Sequence, residues 1–344
     1  MKIQVRTLLI VLLLLLVGAY AGYRIILGGS EVPSSIGKDF HVQIPHNATF
    51  DEVVALLKKE GVVRKEGVFR QVAERMAYKQ DPMRSGRYKI EPGWTVIHLI
   101  RHLRSGEQAP VKVILTTERT LEEVAEKVSR FIEPDAKTLE ALFFNEAYLN
   151  KIGYTKDNLM SIFIPNTYEV YWNLTPEEFM ERMILEHKRF WGQNDRLAKA
   201  KAMNMTPEEV YTLASIVEKE TLKEEEKPTI AGTYLNRLKI GMRLQADPTV
   251  VFATRDFTTK RVTNYHTSFE SPFNTYMNAG LPPGPITMTS ISSIDAVLNH
   301  DKHNYTYFCA IGDGSGLHAF AEDYDQHLVN VRTYVRNLEA RGLR

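Results

Sequence analysis

The sequence predicts a protein of the α+β class, with an N-terminal transmembrane helix, a small α+β module and a larger mixed α/β domain with long ordered loops. Three observations lead to this prediction. Residues 7–23 carry no charge. A strand–turn–helix pattern then occurs three times between residues 40 and 131. Beyond it, amphipathic helical segments alternate with segments rich in Pro, Gly, Asn and Thr, which are typical of loops.

The N-terminus predicts a membrane anchor over residues 1–27. Lys2 and Arg6 precede the uncharged run of residues 7–23, which is at the lower limit for crossing a bilayer of about 30 Å. A cleaved signal peptide is the alternative, since residues 19–21 (AYA) resemble a small-residue cleavage site. Because the positive charges come first, both interpretations send the rest of the chain across the membrane. We expect a single-pass protein of the plasma (inner) membrane, with its C-terminal domains on the periplasmic or extracellular side.

Two domains are predicted after the anchor. Residues 28–38 are rich in Gly, Ser and Pro and predict a linker. The first two strand–turn–helix repeats predict a small module over residues 39–110. Residues 111–344 form the second domain, for which helices are predicted at 138–149, 176–191, 206–222 and 228–238, loops at 243–291 and a buried strand at 305–311.

The composition is that of a folded chain of 344 residues, 44% hydrophobic and 25% charged. A formal net charge of +1 gives no general attraction to nucleic acid, so we expect no nucleic-acid partner. Cys309 is alone, which excludes disulfides within the chain. The histidine pairs at 98 and 102 and at 300 and 303 lack a third ligand. We therefore expect no metal and no cofactor.

Helical phase separates two neighbouring glutamates in the predicted helix 206–222. At about 100° per residue from Val210, the apolar side chains form a stripe centred near about 320°. Glu220 falls at about 280°, inside this stripe, whereas Glu218 lies on its flank and Lys219 points away. Burial disfavours the charged form of a carboxyl group and raises its pKa. A glutamic acid tuned toward about pH 6 to 7 can donate a proton and take it back, as glycosidic bond cleavage requires.

The alternative is that Glu220 forms a structural ion pair with a buried arginine, Arg237 or Arg243. Two features favour a functional role. Thr221 and a polar loop system follow the glutamate, which suits a helix end that opens into a groove. Aromatic residues are also frequent in the sequence, and sugar rings commonly lie against aromatic faces, although we expect most of these residues to be core. They are Tyr168, Tyr171, Trp172, Tyr265, Phe273 and Tyr276.

Four separated segments carry a family resemblance: LASIVEKET (213–221), NRLKIGMRLQADPTV (236–250), SPFNTYMNAGLPPGPI (271–286) and YFCAIGDGSGLHAF (307–320). In this order they resemble the endolytic murein transglycosylases of the MltG or YceG family. The resemblance covers nearly the whole chain after the anchor. It implies that the 39–110 module is LysM-like, that residues 111–344 are a YceG-like catalytic domain, and that the anchor is retained.

The resemblance also implies a reaction. The family's catalytic glutamate is the second one of the E-K-E-T string, which is Glu220 here. The implied activity is lytic cleavage of the β-1,4 bond between N-acetylmuramic acid and N-acetylglucosamine within nascent glycan strands. The product carries a 1,6-anhydro ring, and the reaction terminates strand elongation. The implied partners are peptidoglycan glycan strands, the membrane through the N-terminal helix, and peptidoglycan synthases (penicillin-binding proteins).

Seven further residues are candidates for substrate binding. They are Glu218, Gln245, Asp247, Asn274, Tyr276, Asn166 and Tyr168. Asn166 departs from the family pattern, because many relatives read F-P-D-T-Y where this chain reads I-P-N-T-Y. Asparagine keeps the ability to hydrogen-bond but loses the charge, so only an orienting or structural role survives.

Two other functions stay open. A muramidase would use Glu220 with Asp247 or Glu218 to activate water, since hydrolysis normally needs a second carboxylate. A non-catalytic protein could instead bind peptidoglycan as a scaffold for cell-wall synthases. The mass of the product distinguishes a muramidase from a transglycosylase, because hydrolysis adds a water and closure of the anhydro ring does not. A scaffold would give no product.

Overall fold

The structure is a computed structural model that describes residues 10–20, 29 and 31–343. Helix α1 (residues 10–20) lies within the predicted anchor, and the other residues of the predicted segment 1–27 lie outside the described residues. In the part of the chain that the structure describes, no helix combines the length and the apolar character needed to cross a bilayer.

The described residues form a mixed α/β fold in which helices predominate and each sheet has two strands, which confirms the predicted mixture of helices and strands. The strands are β1 (His41–Ile44), β2 (Gly86–Lys89), β3 (Val111–Leu115), β4 (Asn166–Val170), β5 (Tyr307–Ala310) and β6 (His318–Ala321). The helices after α1 are α2 (Phe50–Lys59), α3 (Glu66–Arg75), α4 (Val96–Ser105), α5 (Leu121–Ser129), α6 (Ala136–Phe143), α7 (Glu146–Ile152), α8 (Pro176–Trp191), α9 (Arg196–Ala202), α10 (Pro207–Glu220), α11 (Lys227–Lys239), α12 (Asp247–Thr254), α13 (Asn264–Thr267), α14 (Ile291–Leu298) and α15 (Tyr324–Ala340). Strands pair as β1–β2, β3–β4 and β5–β6.

The chain divides into two compact units. The first comprises the chain up to Lys112 together with two short later segments, Phe131–Glu133 and Glu169–Leu174. Inside it, β1 and β2 are antiparallel, with Val42 opposite Tyr88. Alternate residues of β1 are buried, as the apolar pattern predicts, and they share one hydrophobic core with α2, α3 and α4. The strand–turn–helix order is confirmed. The LysM-like character and the domain boundaries stay predictions.

The second unit is built around α10. A capping box between Thr206 and Glu209 begins this helix, with Pro207 in its first turn. Its side chains from Val210 to Val217 are all buried, because α9, α11, α12 and α14 pack around it. Even Ser215 is fully buried and accepts a hydrogen bond from the backbone N–H of Ile286 at 3.0 Å. Helix α10 therefore lies at the centre of the second unit, and its C-terminal end carries the candidate catalytic glutamate.

Three predicted elements differ from the structure. The predicted helix 138–149 is interrupted, because the side chain of Asn145 caps the N-terminus of α7. The predicted loop region 243–291 contains the short helices α12 and α13. The predicted buried strand 305–311 is shorter, as β5, and half-buried at the surface of the unit.

Candidate active site

Glu220, the last residue of α10, lines a cavity of about 310 Å³ in the second unit. The helix ends here because Thr221 adopts an extended conformation, with φ −141° and ψ 144°. Helix α12 contributes Asp247 to the same cavity. The remaining residues that line it are Arg119, Lys219, Pro248, Val251, Phe252, Phe257, Thr259 and Ile286.

The carboxyl group of Glu220 has a single hydrogen-bond partner among the described residues. The hydroxyl of Tyr234, on the neighbouring helix α11, donates to Oε1 at 2.5 Å. Burial raises the pKa of Glu220 to about 7, and the negative charge of Asp247 also raises it. The Tyr234 hydrogen bond and the positive charge of Arg237 act in the opposite direction. Near neutral pH, Glu220 can therefore both donate and accept a proton.

The two arginines of the alternative interpretation have other partners. Arg237 is buried and donates to the backbone carbonyls of Thr306, at 2.6 Å, and Leu244. Arg243 donates to the carbonyl of Tyr276 at 3.1 Å. Within the described part of the chain, Glu220 forms no ion pair with either arginine, so its carboxyl group is left facing the cavity.

Asp247 is held by a loop that the sequence also singled out. The hydroxyl of Tyr276 donates to Oδ1 of Asp247 at 2.5 Å. Asn274 is fully buried; its Oδ1 accepts from the backbone N–H of Tyr276 at 2.9 Å, and its amide donates to the carbonyls of Thr267 and Phe269. Asn274 thus braces the loop and does not itself line the cavity.

Gln245 belongs to the same loop system. Its backbone N–H donates to the carbonyl of Thr275 at 3.1 Å, and its backbone is left-handed with φ 48°. Its side chain is exposed and does not line the cavity of Glu220. The structure therefore brings Gln245, Asp247, Asn274 and Tyr276 together in one loop system, of which only Asp247 lines the cavity of Glu220.

Glu218 occupies a different environment, although it is only two residues from Glu220. Its Oε2 atom accepts from the hydroxyls of Ser290 and Ser293, each at 2.5 Å, and from the ammonium of Lys227 at 3.2 Å. Burial raises the pKa of Glu218, but these three donors outweigh it, so the pKa lies below its ordinary value. Glu218 does not line the cavity of Glu220. Its role as a substrate contact stays a prediction.

Asn166 and Tyr168 lie at a separate cavity of about 250 Å³. The hydroxyl of buried Tyr168 donates to the carbonyl of Ile164 at 2.5 Å, while Asn166 is exposed at the start of β4. Glu186, Arg189 and Arg196 line this cavity too. The structure does not bring these two candidates into the cavity of Glu220, and their contact with substrate stays a prediction.

Sequence reasoning missed the residues that surround Glu220 from other elements. Tyr234 lies in the predicted helix 228–238, and a tyrosine among apolar residues is the signal that the sequence offers there. The aromatic rings at the cavity are those of Phe252 and Phe257, neither of which was singled out. Lys219 is exposed and so points away from the apolar stripe, as the phase predicts. It also lines the cavity, because the helix ends one residue later and the cavity opens at that end.

A model of the YceG-like family matches residues 42–333 of this chain. The chain belongs to the YceG-like family. The match covers most of both compact units and the whole of the cavity described above, which confirms the family that the sequence segments resemble.

Curated relatives of this YceG-like chain carry the name endolytic murein transglycosylase. One from Streptococcus pneumoniae serotype 2 is 26% identical over 369 residues, covering 98% of this chain and 66% of the relative. One from Bacillus subtilis strain 168 is 27% identical over 290 residues, covering 80% of this chain and 79% of the relative. The chain spans just under two thirds of the length of the Streptococcus relatives.

A solved structure shares the fold. The 2.6 Å crystal structure of a yceG-like protein from Listeria monocytogenes superposes with a TM-score of 0.55 and 22% sequence identity. The likeness covers 85% of this chain and 99% of the Listeria chain. Both proteins therefore have the YceG-like fold.

Proposed function

We propose that this protein is an endolytic lytic transglycosylase of peptidoglycan. It cleaves the MurNAc-β-1,4-GlcNAc bond within glycan strands and leaves 1,6-anhydroMurNAc ends, which terminates elongation. The observation that carries the proposal is Glu220, an acid at a cavity wall whose pKa is raised to about 7. The name of the Streptococcus and Bacillus relatives, endolytic murein transglycosylase, supports the same activity.

The reaction needs one proton that leaves Glu220 and returns to it. Protonated Glu220 donates its proton to the glycosidic oxygen as the bond from C1 of the muramyl residue to that oxygen breaks. The resulting carboxylate then takes the proton of the muramyl 6-hydroxyl, and O6 bonds to C1 to close the anhydro ring. No water is consumed, so the reaction needs no second carboxylate to activate one.

The neighbours of Glu220 suit both steps. Tyr234 holds Oε1 through its hydrogen bond, which fixes the orientation of the carboxyl group and leaves Oε2 for the substrate. The negative charge of Asp247 favours the protonated form of Glu220. The same charge stabilises the positive charge that develops at C1 in the transition state.

Product analysis of wild-type protein beside the Glu220→Gln variant tests the proposal. On purified un-crosslinked glycan, wild-type protein is expected to release anhydro-ended fragments, and the variant is expected to release them at least about a hundredfold more slowly. Glu225→Gln is the matched control, because Glu225 is an exposed glutamate close by in the chain. Products heavier by one water identify a muramidase. Binding to peptidoglycan with no product at any enzyme concentration identifies a scaffold. Full activity of Glu220→Gln contradicts the proposed mechanism.

We also propose that residues 1–27 anchor the protein in the plasma (inner) membrane by one span, with the domains on the periplasmic or extracellular side. The uncharged run 7–23, preceded by Lys2 and Arg6, supports this proposal. Intact-mass analysis of the membrane-bound protein tests it, since loss of the residues up to Ala21 would identify a cleaved signal peptide.

We further propose that the 39–110 module is LysM-like and binds glycan, and that the protein associates with peptidoglycan synthases. The resemblance to the family supports both proposals. Pull-down of un-crosslinked glycan by wild-type protein and by a chain without the module tests the first. Co-purification of penicillin-binding proteins from solubilised membranes tests the second.

A further inference from the structure

Two cationic side chains line the same cavity as Glu220. They belong to Arg119, which precedes α5, and to Lys219, in the last turn of α10. Burial and the nearby positive charge of Arg119 lower the pKa of the Lys219 ammonium group. Two like charges that line one cavity repel each other, and an anion bound between them would relieve that repulsion.

The acids whose charges act on Lys219 are Glu218 and Glu123. Both have other donors. Glu218 is bound by Lys227 and two serine hydroxyls, and Oε2 of Glu123 accepts from the backbone N–H of Arg119 at 2.6 Å. Within the described residues, neither the Arg119 guanidinium nor the Lys219 ammonium forms an ion pair. Both cations thus keep donors for a ligand.

Phe257 holds the guanidinium of Arg119 in place. The guanidinium carbon lies 5.0 Å from the centre of the Phe257 ring, and Nη1 makes a long contact of 3.5 Å with the Phe257 carbonyl. A guanidinium over an aromatic ring is restrained and still presents N–H donors that match a carboxylate. Arg119 and Phe252 also line a neighbouring cavity of about 380 Å³, so an extended ligand that crosses from one cavity to the other passes Arg119.

We infer that Arg119 and Lys219 form a subsite that binds a carboxylate of the substrate beside the bond cleaved at Glu220. The inference rests on the proposed function. Peptidoglycan offers this group from two sources: the stem peptide, or the lactyl group of a muramyl residue that has lost its stem. The charges that shift the pKa of Glu220 come from Asp247 and Arg237, so we assign Arg119 and Lys219 to binding and leave the proton chemistry to Glu220.

Three substrates separate the two sources. Stem-bearing un-crosslinked glycan carries only stem carboxylates, amidase-denuded glycan carries only lactyl carboxylates, and denuded glycan with methylamidated lactyl groups carries neither. For Arg119→Ala we expect kcat/KM to fall about ten- to a hundredfold on the substrate that carries the recognised carboxylate, and less than about twofold on the neutral glycan. Lys219→Ala should show the same selectivity. The pH profile should keep its position in both variants.

Arg130→Ala is the matched control, since Arg130 is exposed and paired with Glu126 at 2.7 Å, away from the cavity. No loss in Arg119→Ala, or an equal loss on all three glycans, would overturn the inference. If wild-type protein releases no anhydro ends, the proposed function fails. Binding of the three glycans to Glu220→Gln, with and without Arg119→Ala, then still tests the subsite, because that readout needs no turnover.

Discussion

Two glutamates, two residues apart on the last turn of α10, meet opposite environments. Glu218 is bound by Lys227 and two serine hydroxyls, which keep its pKa low. Glu220 accepts one hydrogen bond, from the Tyr234 hydroxyl, and lines a cavity, and its pKa is raised to about 7. The backbone and the residue type are the same, so the contrast comes from the elements packed against each face of the helix. A paired carboxylate stabilises the fold, and a weakly partnered one is available for chemistry.

The largest expected effect is on activity and separates the two residues. Glu220→Gln should lower the rate of anhydro-end release by about 10²- to 10⁴-fold, because it removes the proton donor. Glu218→Gln should change the rate far less and lower the stability instead. Both rates are measured by chromatography of the released glycans at a temperature where both variants are folded. Equal losses of rate in the two variants would show that the difference in environment between Glu218 and Glu220 does not decide which residue is catalytic.

The next largest effect is on stability and concerns the ion pair between Lys227 and Glu218. The side chain of Lys227 is 3% exposed and that of Glu218 is 17% exposed, so Lys227→Met would leave a largely buried carboxylate without its cation. We expect the free energy of unfolding to fall by about 3 kcal/mol, measured by urea denaturation. Lys239→Met, in the last turn of the same helix, is the control and should cost less than about 0.5 kcal/mol.

The raised pKa of Glu220 predicts that replacing this residue increases the free energy of unfolding at high pH. The pKa of Glu220 is raised from 4.5 to about 7 in the folded state, so folding loses stability as the pH rises from 4.5 through 7. Glu220→Gln should therefore be more stable than wild type at pH 8, by up to about 3 kcal/mol, and equally stable at pH 4. Thermal unfolding at the two pH values measures this difference. A variant that is no more stable at pH 8 would contradict the raised pKa.

The smallest effect concerns the tyrosine beside Glu220. The hydrogen bond from Tyr234 favours the ionised carboxylate and so lowers the pKa of Glu220. Tyr234→Phe should raise that pKa by about one unit and move the alkaline limb of kcat/KM to higher pH by the same amount. The measurement is kcat/KM between pH 5 and 9. A shift toward lower pH would mean that the tyrosine supports the neutral acid.

Local signals in the sequence predict much of this arrangement. The limits of α8 agree with the predicted helix 176–191, because a threonine cap, a proline and the glycine after Trp191 mark its ends. Helical phase places Glu220 on the buried face of α10, since phase depends only on spacing. The predicted helix 138–149 misses the cap at Asn145, which divides α6 from α7, although asparagine is a common residue at this position of a helix.

Local signals in the sequence do not predict which residues contact Glu218 and Glu220. Tyr234 reaches Glu220 only because α11 packs beside α10, and Ser290 reaches Glu218 from the N-terminus of α14, more than seventy residues away in the chain. Nothing in their local sequence specifies these contacts. The phase of α10 therefore predicts that Glu220 is buried, and tertiary packing decides that it is an acid with an open cavity beside it.

The position of Glu220 at the C-terminal end of α10 has one more consequence. The last carbonyl groups of a helix carry a partial negative charge of about half an electron, which disfavours a second negative charge nearby. When Glu220 has given its proton to the glycosidic oxygen, its carboxylate lies at the electronegative end of its own helix. The helix therefore favours the second half of the same turnover, in which the carboxylate takes the proton of the muramyl 6-hydroxyl and the acid is restored.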